Sequence, residues 1–365
     1  MSEQLKKYRM DLHQIPELGF EEHKTKAYIM AAVKNLKCHI HEIGKTGLIL
    51  YFDAQKEKTI AFRADMDALP IQEATGLTFS SHHQGIMHAC GHDGHMAILI
   101  GLAHHIHQIH HTLDKNILLI FQPSEERDAG AQIIVNSGLL EKYKTEAIFG
   151  LHLWPGLKKN QVYSRAHEFM AMGSEVTITI YGKSVHVADS QEGVDALHLA
   201  CGYLTDLYEM EAALPEEVYR LLKFGQCHSG NVRNVISDQT TLYGTLRSFS
   251  NKTHHYLKTQ IQDIATQYEK LHGCQIEIQY SDGYDTVIND PELLAHIKAK
   301  IPTLTLMEKP VMQSEDFGLY RQICPSLFFF LGVGHTAPLH NECFDFDMDI
   351  LQKGLDLFID ILTLY

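Results

Sequence analysis

Apolar residues at Leu5, Tyr8 and Leu12 fall three and four apart, which predicts an amphipathic helix that stops before Pro16. Tyr28, Ala31, Ala32, Val33 and Leu36 keep the same spacing and predict a second helix. The period then changes. Gly47–Phe52 and Thr59–Arg63 are short apolar runs that predict strands. Helical periodicity over His95–His110, a buried strand over Asn116–Gln122, a helix over Ala129–Leu140 and a strand over Ala147–Leu153 follow. Strand alternating with helix is the grammar of a parallel α/β layer. From Glu175 the pattern differs: Val176–Ile180 alternates strictly, Gly193–Ala212 is helical, two strand-like segments and another helix follow, and Cys274–Tyr280 alternates again. That β-α-β-β-α-β order predicts an inserted ferredoxin-like α+β domain of about a hundred residues. After Gly283 the α/β pattern returns, with a helix over Pro291–Lys300 and a doubly buried strand over Ser326–Leu331. The expected layout is a discontinuous first domain over residues 1–172 and 284–365, interrupted by an insert over 173–283. No internal repeat or low-complexity segment breaks this layout.

A chain of 365 residues with 45% hydrophobic content is longer than single cores usually grow, in keeping with two domains. A formal net charge of −14 without any basic run sets it against nucleic acid and anionic membranes as partners. The first residues are polar and the longest apolar runs, such as Ser326–Val333, are too short to cross a bilayer, so a soluble cytoplasmic protein is expected. Seven scattered cysteines without a C-x-x-C spacing fit reduced thiols in such a compartment.

Candidate chemistry concentrates in Met87–Met96, where one thiol, three imidazoles and one carboxylate fall within ten positions. A thiolate and a neutral imidazole suit a borderline divalent cation such as zinc, and two glycines let the backbone aim Cys90 and His92 at one point. A histidine-rich surface loop is the plainer account in a chain with 25 histidines. Further ligand-type residues each follow an apolar run, however: Asp65 and Asp67, Glu125 and Glu126, and His152. The carboxyl ends of strands are where sites assemble in an open α/β sheet. Glu125 and Glu126 are adjacent, so their side chains diverge. One can hold a metal while the other moves a proton, and we assign Glu125 as base and Glu126 as ligand. The histidines at 104, 105, 107, 110 and 111 lack helical pairing with a carboxylate and are read as a polar helix face.

These motifs resemble the two-metal aminoacylase and hippurate-hydrolase type of amidohydrolase, a group related to the dinuclear zinc carboxypeptidases. The likeness rests on Asp11–Leu18, Phe62–Pro70, His88–His95, Gln122–Glu126, Gly150–His152, Ser314–Gly318 and Leu339–Asn341, and within the family it leans to the N-acetyldiaminopimelate deacetylases of lysine biosynthesis. It implies an α/β catalytic domain with a mostly parallel mixed sheet, two divalent ions (zinc, cobalt, nickel or manganese), and five ligands at Cys90, His92, Glu126, His152 and His340. It also implies Glu125 as general base, Asp65 orienting a ligand, and a lid that can form a homodimer. His186, ending Gly182–His186, would steady the oxyanion, and Asn234 and Arg247 would hold the substrate carboxylate. Two departures stand out: Ser184 and Val185 replace a glycine pair, and Arg127–Asp128–Ala129 follows the paired glutamates where glycines are usual. Glu315 and Asp316 are candidate acceptors for a distal substrate ammonium.

Several activities share this mechanism: deacetylation of N-acetyl-LL-diaminopimelate, hydrolysis of hippurate or general N-acyl amino acids, and dipeptide cleavage. Outside it stand a cysteine amidase using Cys90 with His92 or His95 as base, and a zinc-stabilised binding module. The latter would favour a closed Cys/His set, unlike this carboxylate-rich one.

Overall fold

The computed structural model describes residues 1–281 and 283–365. Two compact units emerge: Met1–Phe169 with Val287–Pro310 and Glu315–Tyr365, and Met170–Thr286 with Val311–Ser314. The first begins with α1 (Ser2–His13), α2 (His23–Val33), β1 (His39–Ile43), β2 (Gly47–Phe52), β3 (Thr59–Asp65) and α3 (His92–Ile109). β4 (Asn116–Gln122), α4 (Gly130–Asn136), α5 (Leu139–Lys142), β5 (Thr145–Pro155), β6 (Val162–Ser164) and β7 (His167–Met170) follow. The second unit holds β8 (Met172–Tyr181), α6 (Ala196–Ala212), β9 (Leu221–Ser229), β10 (Gln239–Ser248), α7 (Asn251–His272) and β11 (Gln275–Tyr280). The chain returns through β12 (Val287–Asn289), α8 (Pro291–Lys300), β13 (Thr305–Leu306), β14 (Ser326–Gly334) and α9 (Ile350–Leu362).

The first unit is built on an eight-stranded sheet in the order β1-β2-β4-β3-β5-β14-β6-β13. Its centre, β4-β3-β5-β14, is parallel, while β1 and β2 join as an antiparallel edge. β3 and β4 are buried at every position, which is why they read as continuous apolar runs. The helix expected over Ala129–Leu140 is instead two short ones, because Gly138 takes φ 67° and breaks the turn between α4 and α5.

The second unit is a ferredoxin-like sandwich with antiparallel order β11-β8-β10-β9 and α6 and α7 packed on one face. Strict alternation in β8 sends Val176, Ile178 and Ile180 into that core, against Leu199 and Tyr203 of α6 and Leu257 and Ile261 of α7. Asp195 and Ser250 cap the two helices through their first backbone amides. No helix among the described residues is long and apolar enough to cross a membrane.

Candidate metal centre

The cysteine- and histidine-rich stretch runs into the first turn of α3. Gly91 sits at φ 90°, a conformation glycine takes without steric cost, and this turn separates Cys90 from His92. Three overlapping groups form: Cys90, His92 and His152; Cys90, Glu126 and His340; and His92, Glu125 and Glu126. Within each, the candidate ligand atoms lie within 4.8 Å of one another. Cys90 Sγ is 3.3 Å from His152 Nε2, and His340 Nε2 is 3.2 Å from Glu126 Oε1. His340 holds φ 63°, and its amide donates to Ala89 O at 2.9 Å, tying the late loop to the residue before Cys90.

Hydrogen bonds on the far side of each ring set the tautomers. His92 Nδ1 donates to Asp67 O at 2.8 Å and His152 Nδ1 donates to Leu153 O at 2.7 Å, leaving both Nε2 atoms for a cation. Among the described residues the buried His92 Nε2 has no hydrogen-bond partner, which costs about 1–3 kcal/mol unless an ion completes it, and Glu126 Oε1, though 3.2 Å from His340 Nε2, makes no hydrogen bond of good geometry. Asp65, Asp67 and Glu126 outweigh burial and raise His92 to about 10, the response of a site with excess negative charge. The donor set of thiol, imidazoles and carboxylates fits two divalent metal ions.

The same surroundings argue against a cysteine nucleophile. Burial, and then the charges of Glu126 and Glu125, push the Cys90 thiol well above its ordinary value, whereas a nucleophilic cysteine needs its thiolate stabilised. His95, the other candidate base, has both ring nitrogens committed: Nδ1 to Asp65 Oδ1 at 2.7 Å, and Nε2 to the Leu153 amide at 2.9 Å. His88, the third imidazole of the stretch, is buried and pulled down to about 4 by that burial.

Behind the donors lies a buried ion-pair network. Arg63 binds Asp65 Oδ2 at 2.8 Å, Glu315 Oε1 at 2.9 Å and Asp316 Oδ1 at 3.0 Å, and Gln122 bridges Arg63, Asp316 and Tyr320. The expectation that Glu315 and Asp316 receive a substrate ammonium is corrected here. Both are at most 1% exposed and committed to Arg63, Gln122, or the amides of Phe317 and Ala131. Asp65 holds Arg63 and His95, so it supports the centre through neighbours.

The loop that carries Glu125 and Glu126 is clamped by carboxylates that sequence reasoning left without roles. Asp67 accepts the Glu125 amide on Oδ1 and the Glu126 amide on Oδ2, each at 3.0 Å. Glu22 accepts the Ser124 amide at 2.9 Å and the Thr46 hydroxyl at 2.5 Å, and Ser124 itself is held at φ 51°. Burial of Glu22 raises it to about 7. A raised carboxyl favours the native state most below its unfolded value, and that advantage fades as pH rises through about 7. Glu22→Gln keeps an acceptor for Ser124 and should therefore gain stability over wild type between pH 5 and 8, by up to about 3 kcal/mol. Denaturant titrations at the two pH values check this; an equal difference at both would refute it.

A family model for peptidase family M20/M25/M40 matches residues 61–364. The chain belongs to this family. It is 33% identical over 358 residues to N-acetyldiaminopimelate deacetylase of Streptococcus uberis, covering 95% of each chain. The Listeria welshimeri protein of the same name is 32% identical over 365 residues, covering 97% of each. The crystal structure of Bacillus subtilis YXEP, a dinuclear metal binding peptidase from the M20 family, matches with TM-score 0.85 and 30% identity over 99% of this chain and 97% of that one. The protein is thus an M20-family hydrolase, with the metal-binding donors of an amidohydrolase.

In this M20 enzyme the remaining predicted residues lie in the second unit, and they divide into two places. His186 and Asn234 are neighbours: Val187 N donates to Asn234 O at 3.1 Å, and His186 bridges to Val235. His186 is exposed and its Nδ1 accepts the Ala188 amide, which leaves the proton on an outward Nε2. Arg247 lies at the other end of β10, opposite Gly173, bonded to Ser314 Oγ. A Cβ at Gly173 would come within 2.6 Å of the Arg247 guanidinium, so the missing side chain makes room for it. The eight residue steps of strand from Gln239 to Arg247 span about 27 Å. Within one chain His186 and Arg247 therefore lie near opposite ends of β10.

Proposed function

We propose that the enzyme hydrolyses the amide bond of an N-acyl amino acid, and that its substrate is N-acetyl-LL-diaminopimelate in a cytoplasmic lysine or diaminopimelate pathway. One observation carries the hydrolytic reading: Cys90, His92, Glu126, His152 and His340 converge with orphaned donors, and Glu125 stands beside them. The names of the Streptococcus and Listeria relatives support the acetyl substrate.

In this reading the five residues would hold two divalent ions, which when bound would supply Lewis-acid polarisation of the scissile carbonyl and acidify water. Glu125 takes the proton of the attacking water on its carboxylate and passes it to the leaving nitrogen. Burial and the neighbouring Glu315, Glu126 and Asp316 raise its proton affinity, and the charge of bound cations would act in the opposite sense. Asp67 keeps the Glu125 backbone in place during both transfers. His186 donates Nε2–H to the oxyanion, Asn234 assists, and Arg247 meets the substrate α-carboxylate with its planar fork. Because His186 and Arg247 lie at opposite ends of β10, the enzyme works as a homodimer in which His186 and Asn234 come from a second copy.

Hippurate hydrolysis is the second reading. Trp154 stacks on Phe330 at 3.9 Å between ring centroids, lies 5.6 Å from the His152 ring and remains partly exposed, a surface suited to an aryl acyl group. A hydrolysis panel with zinc, cobalt, nickel and manganese separates the two. N-acetyl-LL-diaminopimelate is expected to show higher kcat/KM than benzoylglycine or N-acetylmethionine. A tenfold preference for benzoylglycine would move the assignment to hippurate.

A further inference from the structure

The donor set is closed on one side and open on the other. Cys90, His92, Glu125 and His152 are at most 6% exposed, whereas the His340 side chain is 50% exposed and that of Glu126 10%. Substrate must therefore approach on the side that Glu126 and His340 line. The next residue after Glu126 is Arg127, an exposed arginine with no hydrogen bond or ion pair among the described residues. Three of the unit's four other arginines are engaged, Arg9 with Asp93 and Asp345, Arg63 with three carboxylates and Arg165 with backbone carbonyls, while the fourth, Arg321, is exposed like Arg127.

The loop that presents Arg127 is braced on both flanks. Asp67 holds the amides of Glu125 and Glu126, Ser124 O accepts the Gly130 amide at 2.9 Å, and the Asp128 amide reaches Ser124 Oγ at 3.4 Å. Ser124 and Ala129 both sit at positive φ, 51° and 49°. A loop held this firmly fixes where the Arg127 side chain starts. One residue step is about 3.8 Å, so the guanidinium, at the end of its flexible stem, can reach a substrate bound at the Glu126 rim.

We propose that Arg127 is a specificity-determining residue that selects substrates carrying a second carboxylate, beyond the α-carboxylate. This rests on the N-acyl amino acid reading above. A free guanidinium pairs with carboxylate bidentately, and at a partly exposed rim that interaction favours one substrate over its neutral analogue without entering the bond-breaking step. The second carboxylate can belong to the acyl group or to the far end of the amino acid, and two substrate pairs distinguish these sources. N-acetyl-LL-diaminopimelate and Nα-acetyl-L-lysine differ by the distal carboxylate alone. N-succinyl-L-alanine and its terminal amide differ by charge on the acyl side.

Wild type, Arg127→Ala and Arg127→Lys are compared on all four substrates, with metal content and Tm measured on each protein. In one pair the wild type should prefer the acid, and Arg127→Ala should lower kcat/KM for that acid by about tenfold or more, chiefly through KM, while its neutral partner stays within about twofold. Arg127→Lys should retain part of the preference, and metal content should not change. If Arg127→Ala left both acid-to-neutral ratios as in wild type, or lowered all four substrates equally, the selector role would be overturned while the hydrolase reading stood. If wild type cleaved none of the four, the N-acyl amino acid reading itself would fall, and the selector role with it.

Discussion

Glu125→Gln is expected to keep its bound metal and lose turnover by roughly 10²–10⁴-fold, the range a positioned general base contributes. The substitution is nearly isosteric. Its backbone amide still bonds to Asp67, so the loop should keep its place. What disappears is a carboxylate whose proton affinity is raised by burial beside Glu315, Glu126 and Asp316. Glu126→Ala should fail differently, because Glu126 belongs to two donor groups, with Cys90 and His340 and with His92 and Glu125. It should lose metal from one position as well as activity. Metal analysis of dialysed protein beside single-turnover kinetics distinguishes the pair. Near-normal turnover in Glu125→Gln would sink the base assignment, and full metal content in Glu126→Ala would sink the ligand assignment.

The second large effect concerns His186. Glu125→Gln and His186→Ala should each be nearly inactive alone, yet coexpression of the two should restore about a quarter of wild-type activity. Random pairing makes half the dimers mixed, and in each mixed dimer one site has both an intact base and an intact histidine. The expectation follows from the roughly 27 Å of β10 between the end near His186 and Arg247, which one substrate cannot span. Activity no higher than the better parent would show that His186 does not act across subunits. A near-normal His186→Ala protein would remove it from the reaction altogether.

Elements defined by their own periodicity were legible in the chain. The α/β grammar, the alternating Val176–Ile180 run and the β-α-β-β-α-β order lead to the observed sheets, because burial patterns repeat with the local geometry of strand and helix. The helix expected over 129–140 divides because one left-handed glycine outweighs a periodic run. For the centre, residue type and position after apolar runs were enough to single out Cys90, His92, Glu125, Glu126 and His152 as candidates, since chemistry that needs a thiol, imidazoles and carboxylates restricts the choice of side chains. His340 carries no such local signal and came from resemblance alone.

Only the tertiary structure decided which acids are available. Glu315 and Asp316 read in sequence as candidate acceptors for a substrate ammonium, but a fully buried arginine more than 250 residues away claims both. In sequence Asp67 is one ligand-type residue among several and Glu22 belongs to no motif. Their work is to hold backbone amides of a loop that begins nearly sixty residues beyond one and a hundred beyond the other. The sequence by itself determined the fold class and the chemical inventory of the centre, because those follow from residue type and local period. Pairing between distant charges, the tautomers set by Asp67 O and Leu153 O, and the separation of His186 from Arg247 depend on which segments the folded chain brings together. Those long-range contacts leave no periodic trace in the sequence.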